Sequence, residues 1–313
     1  MTRRWVPAAA LVFLHVALLA QSSSIVNSVR RAAWANDLPT AERLIAEYRA
    51  QNPATTPQLL EAISWAARGA SFVKDWDKAE RYAKETLEGS KPLLKQRALD
   101  ADKSLPIAVG AGIEVMAAVL DARGERARAL EYLRAEKAAF HGASIEARIQ
   151  KNILLLTLEG KPAPALAMQQ WIGEKPKTLA ELKGGVVLLF FWAHWCGDCK
   201  RQLPDLIRLN EEYGNRGLTI VGPTQLYGYV ARGETATPEQ EMSYLRTDYQ
   251  KAHPVPAWMR VPVSSENFLK FGVSTTPTLM LVDRQGVVRL YHPGTLSYED
   301  LVAKIQPLLN SRT

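Results

Sequence analysis

The run VVLLFFW, Val186 to Trp192, is apolar without alternation, and AHWCGDCK follows it at once, carrying both cysteines of the 313-residue chain, Cys196 and Cys199. A strand with apolar residues on both faces must be covered on both faces, so it belongs in the centre of a sheet flanked by helices. A tight turn and a helix after such a strand put Cys196 at a helix N-terminus. Unpaired N–H groups and the positive end of the helix dipole stabilise a thiolate there. Cys199, one turn on, lies on the same side of that helix, and Gly197 lets the turn close. The expected arrangement is an exposed, reactive Cys196 with a shielded Cys199 that resolves it.

Other uses of the pair fit poorly. Closing so short a loop removes little chain entropy, which makes a weak structural staple. Structural zinc takes four ligands, and His141, His253 and His292 are scattered away from the CxxC. Covalent haem attachment needs a histidine after the second cysteine, where Lys200 stands. With no phosphate loop and no nucleophilic-serine motif, no metal and no cofactor is expected.

The chain starts with Arg3 and Arg4, an apolar run from Val6 to Ala20 and the polar stretch QSSS. This reads as a secretory leader over residues 1–24, with an uncleaved anchor as the alternative, and no cysteine follows to take a lipid. No other segment reads as long and apolar enough to span a membrane. The remainder is ordinary globular material, 47% hydrophobic with a net charge of +7. It lacks a dense Lys/Arg block interleaved with aromatics, so no nucleic-acid partner is expected. The expected location is periplasmic or otherwise extracytoplasmic, soluble or anchored at the N-terminus.

Residues 25–159 are rich in Ala, Arg and Glu and read as helix throughout. Three similar segments start at Asp37, Asp75 and Arg123, each a turn followed by a short helix, at spacings of 38 and 48 residues. These exceed the 34 residues of a tetratricopeptide repeat, so the expectation is a helical-hairpin array of that general kind. It serves as a docking surface for a protein partner or merely packs as an irregular helical domain. Trp65, Phe72, Trp76 and Tyr82 fall at helical spacings and read as core. The texture changes near Gly160. Residues 160–313 then read as a short strand, a turn of helix at TLAELKGG, the VVLLFFW strand, a helix to about Asn215 containing Pro204, and the strand LTIVG. A helix from Pro238 to about Ala252, another ended by Gly272, the hairpin TLMLVD/VVRLYH and a closing helix follow. The fold class is α plus α/β: helical hairpins, then an α/β sandwich with an antiparallel edge.

GKPAP, LKGGVVLLFFWAHWCGDCKRQLP and GVSTTPTLMLVDRQGVV resemble the thioredoxin fold in its exported TlpA/ResA-like branch, over about residues 160–313. The resemblance implies a redox disulfide between Cys196 and Cys199, a cis Pro277 lying against that pair, and backbone at Thr276 that pairs with an extended substrate segment. Three positions depart from the family pattern. Where many members have a buried acid or amide six residues before the first cysteine stands Phe190, and where several have a glutamate three after the second stands Gln202. Asp198 stands where proline is usual. It is either a proton relay for Cys199 or simply an acid in the first turn of a helix; in both cases its charge disfavours the Cys196 thiolate and makes the pair reducing. Ala193 replaces the threonine of peroxidatic members, which argues against peroxidase activity.

His194 reads as a polar surface residue, and Trp195 as a cover for the sulfur and a partner contact, or as packing. The segment PTQLYGYVARGETAT follows a strand C-terminus and is placed to overhang Cys196, with Tyr227 and Tyr229 as partner contacts; the alternative is a floppy insertion. The expected function is an exported thiol–disulfide oxidoreductase that reduces protein disulfides through a mixed disulfide, fed by a membrane electron donor. The alternative is a binding scaffold with a weak thioredoxin-like half.

Overall fold

The computed structural model describes residues 25–311, so the leader expected over residues 1–24 lies outside the described residues. The chain divides into two compact units, one through Ile149 and one from Gln150.

The first unit is helical: α1 (25–34), α2 (Leu38–Gln51), α3 (Pro57–Phe72), α4 (Trp76–Gln96), α5 (Ser104–Ala122), α6 (Arg126–Ala139) and the start of α7 (Glu146–Thr157). Two of the three segments that look alike in sequence begin helices by the same device, while α6, in the third, starts at Glu125 without a side-chain cap. Asp37 and Asp75 are N-caps whose carboxylates accept from the N–H of Thr40 and Lys78, satisfying donors that a helix start leaves orphaned. Helices α3, α4 and α5 pack on one another. Contrary to the expectation from sequence, α5 is long and apolar enough to cross a membrane. Its apolar character serves packing: a Cβ on Gly112 would lie 2.8 Å from Leu87, a distance real side chains do not tolerate, so α4 and α5 approach through glycine. The four helical aromatics are also not all core. Tyr82 is buried, Trp65 and Trp76 are half-buried, and Phe72 is exposed, stacked on the exposed Trp34 at 5.3 Å.

The division between the units falls inside α7, ten residues before the change of texture at Gly160, because Leu154 and Leu158 join the apolar cluster of the second unit. That unit holds a four-stranded sheet in the order β3 (Leu218–Val221), β2 (Val186–Phe191), β5 (Thr278–Val282), β6 (Val288–Pro293). Strand β2 runs parallel to β3 and antiparallel to β5, and β5 and β6 form the expected antiparallel hairpin. The unbroken apolar run of β2 has the expected cause. Val186, Leu188 and Phe190 face one cluster with Leu206 and Leu209 of α8 (Gly197–Tyr213) and Leu301 and Ile305 of α12 (Tyr298–Asn310). Val187, Leu189 and Phe191 face the other, with Phe268 of α11 (Ser265–Lys270) and Phe271. All six β2 residues are buried.

Smaller elements differ from the sequence expectation. TLAELKGG forms hydrogen-bonded turns rather than a turn of helix. The helix from Pro238 breaks at Thr247, with ψ at −80°, into α9 (Pro238–Arg246) and α10 (Asp248–Ala252). The stretch Val261–Val263 is a strand, β4, that pairs with β1 (Gln170–Ile172) in a separate two-stranded sheet.

Candidate functional site

Strand β2 ends at Phe191 and α8 begins at Gly197, so the cysteines sit at a strand-to-helix junction. Cys196 is the N-cap of α8, and its Sγ accepts from the Cys199 N–H at 3.0 Å. The two sulfurs form a disulfide, with Cα atoms 5.3 Å apart. A cap position gives a sulfur a free amide of the helix's first turn and the positive end of its dipole, which is what a thiolate needs.

Cys196 differs from expectation in one respect. It is 4% exposed, as buried as Cys199 at 3%. The cause is long-range: the Thr276–Pro277 peptide is cis, as the resemblance implied, and the Thr276 carbonyl oxygen lies 3.4 Å from Cys196 Sγ. Trp195, beside it in sequence, is 50% exposed and meets the Tyr227 ring edge-on at 5.5 Å.

Asp198 stands away from this enclosure. Its side chain is 53% exposed and pairs with Arg201, one turn further along α8. That is the geometry of a first-turn acid, and Arg201 offsets part of the charge that the carboxylate presents to Cys196.

The two substituted family positions have structural occupations. Phe190 is buried and lines a cavity of about 220 Å³ that also touches Cys199, Lys200 and His253. Gln202, 2% exposed, uses both ends of its amide on one residue: Nε2 donates to the Leu296 carbonyl at 2.9 Å, and Oε1 accepts from the Leu296 N–H at 3.0 Å. Its Nε2 also donates to Asp205 at 3.2 Å. A carboxylate cannot make this pattern, because it has no proton to donate.

The segment after β3 is fastened beside the cysteines. Trp192 donates through Nε1 to the Gly222 carbonyl at 2.9 Å, and Thr224 Oγ1 donates to the Trp192 carbonyl at 2.8 Å. Tyr227 and Tyr229 are thereby brought to the cysteine turn, their rings 5.8 and 5.4 Å from that of His194. His194 is buried, not a surface residue. Its Nε2 lies 3.3 Å from Oε1 of the fully buried Glu241, near enough for an ion pair but outside the alignment of a hydrogen bond. Burial pulls the His194 pKa below its ordinary value, and Glu241 opposes that pull. Burial likewise pushes the Tyr227 phenol up. Glu241 carries no motif in the sequence; its only signal is a charged residue on the inward face of an amphipathic helix.

The AhpC/TSA family model matches residues 160–225. The thiol:disulfide interchange protein HelX of Rhodobacter capsulatus is 30% identical over 181 residues, covering 55% of this chain and 90% of that protein. The thioredoxin-like protein YneN of Bacillus subtilis is 27% identical over 147 residues, covering 47% of this chain and 78% of that protein. Among solved structures, a thiol:disulfide interchange protein of the thioredoxin family from Chlorobium tepidum aligns at 22% identity with a TM-score of 0.38, over 49% of this chain and 98% of that one.

Proposed function

Since this chain belongs to the thiol:disulfide interchange proteins of thioredoxin fold, we propose that its oxidoreductase activity runs through Cys196 and Cys199 and that it reduces disulfides of other exported proteins. The observation that carries this reading is the placement of Cys196, capping α8 with its sulfur on the Cys199 amide and against the Thr276 carbonyl.

In the reduced protein the Cys196 thiolate attacks one sulfur of a substrate disulfide. The Cys196–substrate bond forms, the substrate S–S bond breaks, and the leaving thiolate takes a proton from solvent. Cys199 then loses its proton to water and attacks Cys196 Sγ; the Cys196–Cys199 bond forms, the Cys196–substrate bond breaks, and the second substrate thiolate takes a proton from solvent. Two electrons have passed to the substrate, and the protein is left in the disulfide form seen here. Thr276 offers its backbone to the extended segment carrying the attacked sulfur, with Pro277 beside it. Phe190 and Gln202 cannot supply the Cys199 proton change. Asp198, exposed and paired with Arg201, is the carboxylate the motif offers for it, acting through water.

In the same proposal, residues 1–24 are the export leader or anchor, residues 25–159 a helical domain that holds a protein partner, and residues 160–313 the redox domain. A membrane electron donor returns the pair to the dithiol.

The test is trapping. Cys199→Ser should accumulate mixed disulfides with exported proteins through Cys196, and Cys196→Ser should accumulate none. The reduction potential gives the direction: a value near ~−270 mV marks a reductant and one near ~−120 mV an oxidant. An oxidant's value, or no trapped partner, sinks the proposal.

A further inference from the structure

The loop after β3, fastened at its start through Trp192 and Thr224, is held further along by one carboxylate. Glu241, on α9, is fully buried, and its oxygens face the loop backbone. Oε1 accepts from the Tyr227 N–H at 2.8 Å; Oε2 accepts from the same N–H at 2.9 Å and from the Gly228 N–H at 2.7 Å. Two consecutive amides converging on one anion form a backbone anion site. Here the anion belongs to the chain itself. Gly228, at φ +79°, supplies the backbone turn that a bulkier residue resists. The loop closes behind it, with the Ala236 N–H on the Gly228 carbonyl at 2.9 Å.

Glu241 Oε1 also lies 3.3 Å from His194 Nε2, outside the alignment of a hydrogen bond. A buried charge persists only where its hydrogen bonds are made, and Glu241 makes them to a surface loop. That loop in turn meets the redox turn. Tyr227 touches both residues that precede Cys196, His194 at 5.8 Å and Trp195 at 5.5 Å between ring centroids. Trp195 is half-exposed, so its ring presents aromatic surface to solvent directly beside the disulfide, backed by Tyr227, whose hydroxyl is buried. Aromatic side chains held rigid before binding make strong contacts at low entropic cost.

We propose that Glu241 is a positioning residue for substrate recognition: it docks the loop at Tyr227 and Gly228 against the cysteine turn, so that Tyr227 and Trp195 form a fixed aromatic wall that selects polypeptide disulfides over small ones. The proposal rests on the redox role of Cys196 and Cys199 given above. A polypeptide carrying the attacked sulfur brings flanking side chains that reach the wall, whereas a small disulfide brings only its sulfurs.

The experiment uses the full chain, reduced by dithiothreitol, with insulin as the polypeptide disulfide and hydroxyethyl disulfide as the small one. Glu241→Ala should raise the KM for insulin about tenfold, equivalent to about 1.4 kcal/mol. It should move kcat for insulin, and kcat/KM for hydroxyethyl disulfide, several-fold less. Hydrogen-exchange protection of the Tyr227 and Gly228 amides should disappear. Tyr227→Ala should raise the insulin KM similarly while that protection persists, which separates loss of the wall from a folding defect at the buried carboxylate. Equal losses on both substrates, no change on insulin, or unprotected Tyr227 and Gly228 amides in the wild type would overturn the proposal. A wild type that reduces neither substrate sinks the redox reading, and the selection with it, even where the two amides are protected.

Discussion

Gln202→Glu restores the glutamate that several members of the TlpA/ResA-like branch have at this position, and it should destabilise this protein in a pH-dependent way. The amide donates to the Leu296 carbonyl and accepts from the Leu296 N–H, with 2% of Gln202 exposed. A carboxylate keeps the accepting bond. It loses the donating one, worth about 1 kcal/mol net, and leaves a buried carbonyl unpaired at a cost of about 1–3 kcal/mol. It also approaches Asp205, whose carboxylate now accepts from Nε2. The charge cost has a ceiling, because the carboxyl can protonate and then donate as the amide does. At pH 7 that ceiling is about 1.36 kcal/mol for each pH unit above an unfolded pKa of about 4.3, or about 3.7 kcal/mol. The expected loss at pH 7 is therefore about 2–4 kcal/mol. The sign follows from a folded pKa raised above the unfolded one. The folded state holds the proton more tightly, so the deficit is small near pH 4.3, opens as pH rises, and levels off above the folded pKa. Urea unfolding of wild type and variant at pH 4.5 and pH 7 reads this directly. A variant as stable as wild type at pH 7, or equally destabilised at both values, would refute the reasoning.

Three further outcomes can be checked. Asp198→Ala should lower the Cys196 thiol pKa, but only by about half a unit or less, since the carboxylate is solvated and paired with Arg201; thiol alkylation rates against pH measure it, and a rise would reverse the sign given to Asp198. The His194 pKa is depressed from 6.5 by burial, so the folded state resists a proton that the unfolded chain accepts. Stability should therefore fall as pH drops below about 6.5, with His253, depressed by burial and by Lys200, adding to the same slope; His194→Gln should flatten the slope, and an unchanged urea midpoint profile from pH 5 to 7.5 would count against it. Asn267→Ala should cost about 2–4 kcal/mol, because the Asn267 amide is fully buried and satisfies both the N–H and the carbonyl of Ala167, at 2.7 and 2.9 Å; thermal unfolding of the redox unit is the readout.

What was legible in the sequence was local. The apolar run of β2 showed that both its faces are covered, because side chains alternate across a strand whatever packs against them. The spacing of Cys196 and Cys199 and the strand before them placed the sulfurs at a helix start. The runs TLMLVD and VVRLYH marked the β5–β6 hairpin, and Asp37 and Asp75 began their helices by caps that span three residues. In each case the partner lies within a turn or two along the chain, or the rule concerns a single element.

Tertiary structure decided everything that depends on residues distant in sequence. The burial of Cys196 comes from Thr276, 80 residues on. His194 looked like a surface residue because its neighbours in sequence do not reveal that Glu241 and four tyrosine rings enclose it. Gln202 looked like a lost acid until Leu296, 94 residues away, appeared at both ends of its amide. The same holds for α5, apolar enough for a membrane yet packed through Gly112 against α4. Composition determines how much surface a chain must bury and local pattern determines which element forms. Which buried polar groups find partners is settled only when the chain closes on itself, because an unpaired buried group costs as much as several good contacts return.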